Sequence, residues 1–102
     1  MDMIMKEIVK RIKEEANPDK IILFGSRARG KTKEWSDYDI CVLVAKGVNL
    51  KELEKRLYLK LYGTKAAVDI IAESTDGFDR VKHNPYLIYH EIEKHGKIIY
   101  EK

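Results

Sequence analysis

Residues 21–44 read IILFGSRARGKTKEWSDYDICVLV, and this segment decides the fold. An apolar run stands at each of its ends, and the β-branched and aromatic side chains of both runs are typical of buried strands. A turn sequence starting at Gly25 follows the first run, and two aspartates, Asp37 and Asp39, open the second. The segment therefore predicts two strands, with a polar turn at the end of one and a carboxylate pair at the head of the other.

The aspartate pair has the spacing of a metal site. Side chains two residues apart on a strand leave the same face, so Asp37 and Asp39 would bring two negative charges close together. A divalent cation is the usual relief for such repulsion. At the turn, Gly25 and Ser26 offer free N–H groups to which an anion can bind. A phosphate site beside a carboxylate–metal pair indicates chemistry on a nucleoside triphosphate.

The same residues carry a resemblance to a known family. Residues 25–30 read GSRARG and residues 36–40 read SDYDI, with ten residues between the Gly-Ser pair and the first aspartate. This spacing resembles the signature of the DNA polymerase β-type nucleotidyltransferase superfamily, and most of all its minimal members, the MntA-type antitoxins. The resemblance implies an α/β (α+β) fold, a mixed β-sheet with helices packed on it, and one minimal nucleotidyltransferase domain over residues 1–102.

The resemblance also implies roles for individual side chains. Asp37 and Asp39, with Asp69 as a third carboxylate from a later strand, would be both the catalytic residues and the ligands of two Mg²⁺ ions. Asp69 would also accept the proton of the attacking hydroxyl group. The residues expected to bind the phosphates of the substrate ATP are Gly25, Ser26, Arg27 and Arg29.

A second motif overlaps the first. Residues 25–32 also satisfy the P-loop pattern GxxxxGKT, in which Lys31 would contact phosphate and Thr32 would bind Mg²⁺. A P-loop opens a long helix, but only residues 33–36 separate Thr32 from the next strand. Four residues make little more than one turn at about 3.6 residues per turn, whereas a βαβ crossover needs roughly a dozen residues. We therefore interpret the overlap as coincidental.

Composition and charge agree with one small globular domain. Of the 102 residues, 44% are hydrophobic and 36% are charged, which is typical of a folded chain. The 20 basic and 17 acidic residues give a net charge of +3, too balanced to indicate a nucleic-acid surface. No apolar run approaches about 18 residues. We therefore predict a cytoplasmic protein with no membrane attachment and no nucleic-acid partner, in which the one cysteine, Cys41, is a core thiol.

Hydrophobic periodicity predicts alternating helices and strands. Helices are predicted at 3–15, 50–62, 78–82 and 85–94, a short helix or turn at 27–31, and strands at 20–24, 37–45, 66–72 and 97–100. Asn49 and Ser74 are expected near helix starts, as caps, and Pro85 in the first turn of the last helix. Tyr38 should point away from the aspartate pair into the core, and Trp35 is expected to be partly buried.

Functions from different classes remain open. In the first, a Mg²⁺-dependent enzyme transfers AMP from ATP to a hydroxyl group, a tyrosine by the resemblance, of a partner HEPN-domain toxin, and so serves as the antitoxin of a type VII toxin–antitoxin pair. In the second, a binding module neutralises its partner by contact, with an incidental nucleotide site. A transferase acting on a small molecule is a third, weaker hypothesis, because the chain has no room for a second domain that would bind the acceptor.

Overall fold

The computed structural model describes residues 1–30 and 37–102. The strands are β1 (Lys20–Phe24), β2 (Tyr38–Val44), β3 (Val68–Ser74) and β4 (Lys97–Glu101). The helices are α1 (Met3–Ala16), α2 (Gly25–Ala28), α3 (Leu50–Leu61), α4 (Thr75–Val81) and α5 (Ile88–His95). The expectations for Lys31, Thr32 and Trp35 lie outside the described residues.

The strands of the described ranges form one mixed sheet in the order β3-β2-β1-β4. β1 runs antiparallel to both β2 and β4, whereas β2 and β3 are parallel and are joined through α3. The two central strands, β1 and β2, are buried on both sides, which explains why each is a nearly continuous apolar run. The predicted class, a mixed sheet with helices packed on it, is confirmed.

The sheet has two differently built faces. Ile40 and Val42 of β2 point towards α1 and α3, on what we call the α1/α3 face, and belong to the larger hydrophobic cluster. Cys41 and Leu43 point to the opposite side, the α4/α5 face, where a smaller cluster includes Phe78 and Ile92. The longest helix, α1, has 14 residues, and within the described ranges no helix is long and apolar enough to cross a membrane.

Helix caps explain several element boundaries. The side chains of Asp2, Asn49 and Ser74 accept hydrogen bonds from backbone N–H groups in the first turns of α1, α3 and α4, at 2.7, 3.1 and 2.9 Å. Asn49 and Ser74 thus occupy the cap positions expected from the sequence. Because Ser74 is the cap itself, α4 begins three residues earlier than predicted.

The start of the last helix was predicted wrongly. Pro85 does not lie in its first turn; α5 begins at Ile88. The side-chain oxygen of Asn84 accepts the Tyr86 N–H at 3.0 Å, and its carbonyl accepts the Leu87 N–H at 3.1 Å. This asparagine turn satisfies the backbone groups that a helix starting at Pro85 would have used.

Candidate active site

Three aspartates, Asp37, Asp39 and Asp69, lie at one end of the sheet, where β2 and β3 begin. In the parallel pairing Asp39 lies directly opposite Asp69. The Tyr38 N–H donates to the Ala67 carbonyl at 2.9 Å, so the pairing starts at the head of both strands. Alternation along a strand puts Asp37 and Asp39 on the α4/α5 face and Tyr38 on the other. The predicted orientations of the aspartate pair and of the buried Tyr38 agree with this arrangement.

The carboxylates interact through their charges. Asp39 is half-buried, whereas Asp37 and Asp69 are exposed. Burial, and then the charges of Asp69 and Asp37, raise the pKa of Asp39 above its ordinary value of 3.8. Ionisation of Asp39 is therefore less favourable in the protein alone than in a free aspartate, and a bound cation would offset that penalty.

The site offers carboxylate oxygens to a metal ion but not a complete set of protein ligands. In residues 1–30 and 37–102, no three His, Cys, Asp or Glu side chains are grouped closely enough to hold a metal ion unaided. Mg²⁺ is usually bound by one or two carboxylates, and its octahedron is completed by water and substrate phosphate. Asp39 and Asp69, which face each other, could supply carboxylates of this kind.

The Gly-Ser turn, which forms the start of the short helix α2, lies directly beside Asp39. Phe24, the last residue of β1, is the register partner of Asp39, so the chain turns at Gly25 next to that carboxylate. Gly25 has φ +72°, and a Cβ built there would collide with Asp39 Oδ2 and lie 3.1 Å from its Cγ. Only glycine combines this backbone conformation with so close an approach. The exposed Ser26 follows, at the solvent side of the turn.

The two arginines of the motif contact protein groups on opposite sides of the turn. Arg27 stacks on Tyr38, with its Cζ 3.8 Å from the ring centroid. Arg29 forms an ion pair with Glu91 of α5. Burial raises the pKa of Tyr38 although Arg27 lowers it, and the Tyr38 hydroxyl donates to the Asp2 carboxylate, whose charge also raises this pKa. The arginines thus anchor the turn, a role that the sequence analysis did not anticipate.

The strand that carries Asp69 is held along its open edge by side chains. The N–H groups of Ile70 and Ala72 donate to Tyr58 Oη and Glu54 Oε2, both at 2.9 Å. The Ser74 N–H donates to Glu73 Oε2 at 2.8 Å. The roles of Tyr58 and Glu54 were not predicted from the sequence. Their spacing of four residues shows that they share one side of α3, but the sequence does not show which strand that side contacts.

A buried layer lies below the aspartates on the same face. Tyr89 of α5 packs edge-on against Phe78, with ring centroids 5.9 Å apart. Its hydroxyl donates to Glu73, and burial together with that acceptor raises the pKa of Tyr89. Burial, with the charge of Glu73, raises the pKa of Cys41 to about 12. Cys41 is therefore a neutral core thiol, as predicted, and has no nucleophilic character at neutral pH.

Comparison with known proteins gives a family match over nearly the whole chain. The model of the family described as "Polymerase beta, Nucleotidyltransferase" matches residues 6–102. A protein of Methanocaldococcus jannaschii named "Putative protein adenylyltransferase MJ0141" is 42% identical over 55 residues, an alignment covering 48% of this chain. That alignment spans 56% of the relative's own length.

Solved structures share the fold. A crystal structure described as a "putative nucleotidyltransferase from Sulfolobus solfataricus" matches with TM-score 0.67 and 24% identity, covering 97% of this chain and 78% of that one. A toxin–antitoxin complex with AMP-PNP matches at TM-score 0.58 and 25% identity, with 95% and 73% covered. A tri-AMPylated Shewanella oneidensis HEPN toxin in complex with MNT antitoxin matches at TM-score 0.58 and 20% identity, with 98% and 71% covered. The predicted nucleotidyltransferase fold is confirmed.

Proposed function

Because the chain belongs to the polymerase beta nucleotidyltransferase family, we propose that it transfers AMP from ATP to a hydroxyl group on a partner protein. The partner that we propose is a HEPN-domain toxin, with this chain as its antitoxin. One observation carries the proposal: Asp39 faces Asp69 across a parallel strand pair, and the Gly25 turn approaches the Asp39 carboxylate too closely to admit a side chain. A carboxylate pair beside an anion-binding turn is what nucleotidyl transfer requires.

The reaction exchanges a phosphoanhydride bond of ATP for a phosphoester bond to the acceptor. The acceptor oxygen forms a bond to the α-phosphorus of ATP, the bond from that phosphorus to the bridging oxygen breaks, and pyrophosphate leaves. Asp69 takes the hydroxyl proton in this proposal, because it is exposed and can meet an acceptor arriving from solvent. Magnesium held by Asp37, Asp39 and Asp69 would supply positive charge for the phosphates and the leaving pyrophosphate.

The turn residues bind the triphosphate. Ser26 is exposed, and its hydroxyl and the backbone N–H groups that follow the positive-φ Gly25 would donate to phosphate oxygens. Arg27 and Arg29 are anchored to Tyr38 and Glu91. Arg27 would contribute positive charge from one side of the turn, whereas Arg29 would have to exchange Glu91 for phosphate to do so.

A protein acceptor is favoured over a small molecule. Asp37, Asp69 and Ser26 are all exposed in the described residues, so a partner's side chain can reach them from outside. The M. jannaschii relative is named as a protein adenylyltransferase, and the S. oneidensis complex contains an AMPylated toxin. The resemblance of the motif to the MntA-type antitoxins suggests that the acceptor side chain is a tyrosine.

Mass spectrometry tests this proposal. The product of the gene adjacent to this one would be incubated with the protein, ATP and Mg²⁺, and its intact mass measured before peptide mapping. We expect one or more added adenylyl groups on tyrosine, and none when Asp39→Asn replaces the wild type. An unmodified acceptor in the wild-type reaction would contradict the proposal.

Neutralisation by contact is the alternative that the structural matches also favour, since they are toxin–antitoxin complexes. Co-expression of the toxin with an Asp37→Asn/Asp39→Asn/Asp69→Asn variant separates the two. Catalytic neutralisation predicts that toxicity returns at equal expression. Relief of toxicity by the triple variant would establish contact as sufficient.

A further inference from the structure

The exposed side of α1 carries a stripe of three lysines. Lys6, Lys10 and Lys13 follow the i, i+4, i+7 spacing that aligns side chains along one side of a helix. All three are exposed. Among residues 1–30 and 37–102, none of the three forms an ion pair. We call these residues the lysine stripe.

The acidic residues of α1 form ion pairs with residues outside the stripe. Glu7 pairs with Arg11 on the same helix at 3.2 Å. Glu14 and Glu15 pair with Lys60 and Arg56 of α3, at 3.7 and 3.9 Å. The acidic residues of α1 are therefore occupied in holding the two helices together. Glu14 also lies in the groove with the lysine stripe, but its ion-pair partner is Lys60, and the lysines themselves form no ion pair among the described residues.

The lysine stripe borders a groove with an apolar floor. The groove has a volume of about 400 Å³, and Met1 and Val9 lie in it beside the three lysines. The ammonium group of Lys13 also lies 4.6 Å from the ring centroid of Tyr100. Apolar contacts surrounded by ammonium groups suit an occupant that is both acidic and apolar.

The stripe starts at the end of the sheet where the aspartates lie, but on the opposite face, the one that α1 covers. Asp2 caps α1 and also accepts the hydroxyl hydrogen bond of Tyr38, which lies between Asp37 and Asp39 in the chain. From Lys6 to Lys13 the stripe leads away over roughly 10 Å, at 1.5 Å per residue. A peptide bound along the stripe would have one end near Lys6, at the end of the sheet where the aspartates lie.

We propose that the lysine stripe docks an acidic, partly apolar segment of the acceptor protein and so holds the acceptor beside Asp37, Asp39 and Asp69. That the docked protein is the acceptor rests on the proposed function, whereas the binding of an acidic peptide to the stripe does not. A protein segment is favoured over RNA because a phosphate backbone would leave the apolar contacts of Met1 and Val9 unused.

Fluorescence anisotropy with two probes tests the surface without ATP or an acceptor. The probes are a labelled peptide of alternating Glu and Leu and a labelled oligouridylate. The variant is Lys6→Glu/Lys10→Glu/Lys13→Glu. Its matched control, Lys46→Glu/Lys51→Glu/Lys55→Glu, changes the net charge equally at exposed lysines elsewhere. Circular dichroism confirms that both variants fold.

The stripe variant should bind the peptide at least about tenfold more weakly than wild type, and the control within about twofold. Equal losses in both variants, or tighter binding of oligouridylate than of the peptide, would overturn the proposal. With the acceptor itself, the stripe variant should raise KM and leave kcat unchanged. If no transfer occurs with any protein, the proposed function fails, yet the peptide measurement still decides whether the stripe is a docking surface.

Discussion

The two faces of the sheet differ in the size of their apolar clusters and in the polar residues at their ends. On the α1/α3 face, helices of 14 and 12 residues cover a continuous apolar cluster. On the α4/α5 face, helices of 7 and 8 residues cover a smaller cluster, and the head of that face is left to Asp37, Asp39 and Asp69. The first face has the architecture of a stabilising core. The second combines packing with a polar site open to solvent.

The same strands serve both purposes because their side chains alternate. In β2, Ile40 and Val42 belong to the larger core, while Asp39 and Cys41 face the other way. One residue's shift in register would exchange these sets. Substitutions on the two faces should therefore have separable effects, one mainly on stability and the other mainly on activity.

The largest expected effect is on the α4/α5 face. Asp39→Asn should lower the rate of adenylyl transfer about a thousandfold, because it removes a central charge from a preorganised site, and the variant should remain folded. Transfer to the acceptor protein, followed by mass spectrometry, measures this. A variant with wild-type turnover would show that Asp39 has no part in the chemistry.

The stability of the same variant has a defined sign. Because burial and the neighbouring aspartates raise the pKa of Asp39, its ionised form destabilises the metal-free protein at neutral pH. Asp39→Asn should therefore be more stable than wild type at pH 7 without Mg²⁺. The gain should fade as the pH falls through the raised pKa towards 3.8, where protonated Asp39 carries no charge. Urea unfolding across this range tests the sign.

On the α1/α3 face the effect should be on stability. Leu57 is 0% exposed in the larger core, so Leu57→Ala should lower the free energy of unfolding by about 2–5 kcal/mol. Leu59 on the same helix is 77% exposed, and Leu59→Ala should change it by less than about 0.5 kcal/mol. The transfer rate of the folded fraction should be unchanged in both variants. A loss of activity in folded Leu57→Ala would show that packing on the α1/α3 face also controls the active site.

Gly25 should combine both kinds of effect on a smaller scale. Gly25→Ala should cost about 1–3 kcal/mol through its positive φ, and its new methyl group should displace the Asp39 carboxylate and impair transfer. Gly47, with φ +95°, has no atom within 4 Å of a built Cβ among the described residues. Gly47→Ala should therefore pay a similar backbone cost without any loss of transfer. Equal transfer rates in the two variants would refute a special contact at Gly25.

The smallest expected effect concerns the edge of β3. Tyr58→Phe removes the acceptor of the Ile70 N–H and should cost about 1 kcal/mol. Hydrogen exchange should then be faster at the amide of Ile70, next to Asp69. Tyr62 is 86% exposed, and Tyr62→Phe serves as the control. Unchanged protection at Ile70 would mean that the helix does not hold this strand.

The central strands could be predicted from sequence because burial on both sides leaves an unbroken apolar run. The bounds of β1 are the predicted ones, and β2 differs by one residue at each end. At the sheet edge the signal weakens. β3 was predicted two residues too early, since half-exposed edge residues follow no strict pattern and Ser74 ends the strand by capping a helix.

A turn at Gly25 and a common orientation of Asp37 and Asp39 could be expected from the sequence, because both follow from local properties, a glycine after a strand and the alternation of side chains along a strand. The partners of Arg27 and Arg29 could not be predicted. They are Tyr38 and Glu91, and the latter is 62 residues distant in the chain. Such contacts depend on how α5 packs on the sheet. No local pattern encodes that packing.

Calorimetric titration with ATP examines the proposed ATP site without any acceptor. We expect the wild type to bind ATP in the presence of Mg²⁺ and at least about tenfold more weakly without it. Asp39→Asn and Ser26→Ala should each weaken Mg²⁺-dependent binding, whereas Thr32→Ala should not. Equal binding with and without Mg²⁺, or a loss confined to Thr32→Ala as a P-loop would require, would contradict an ATP site formed by the aspartates and the Gly-Ser turn.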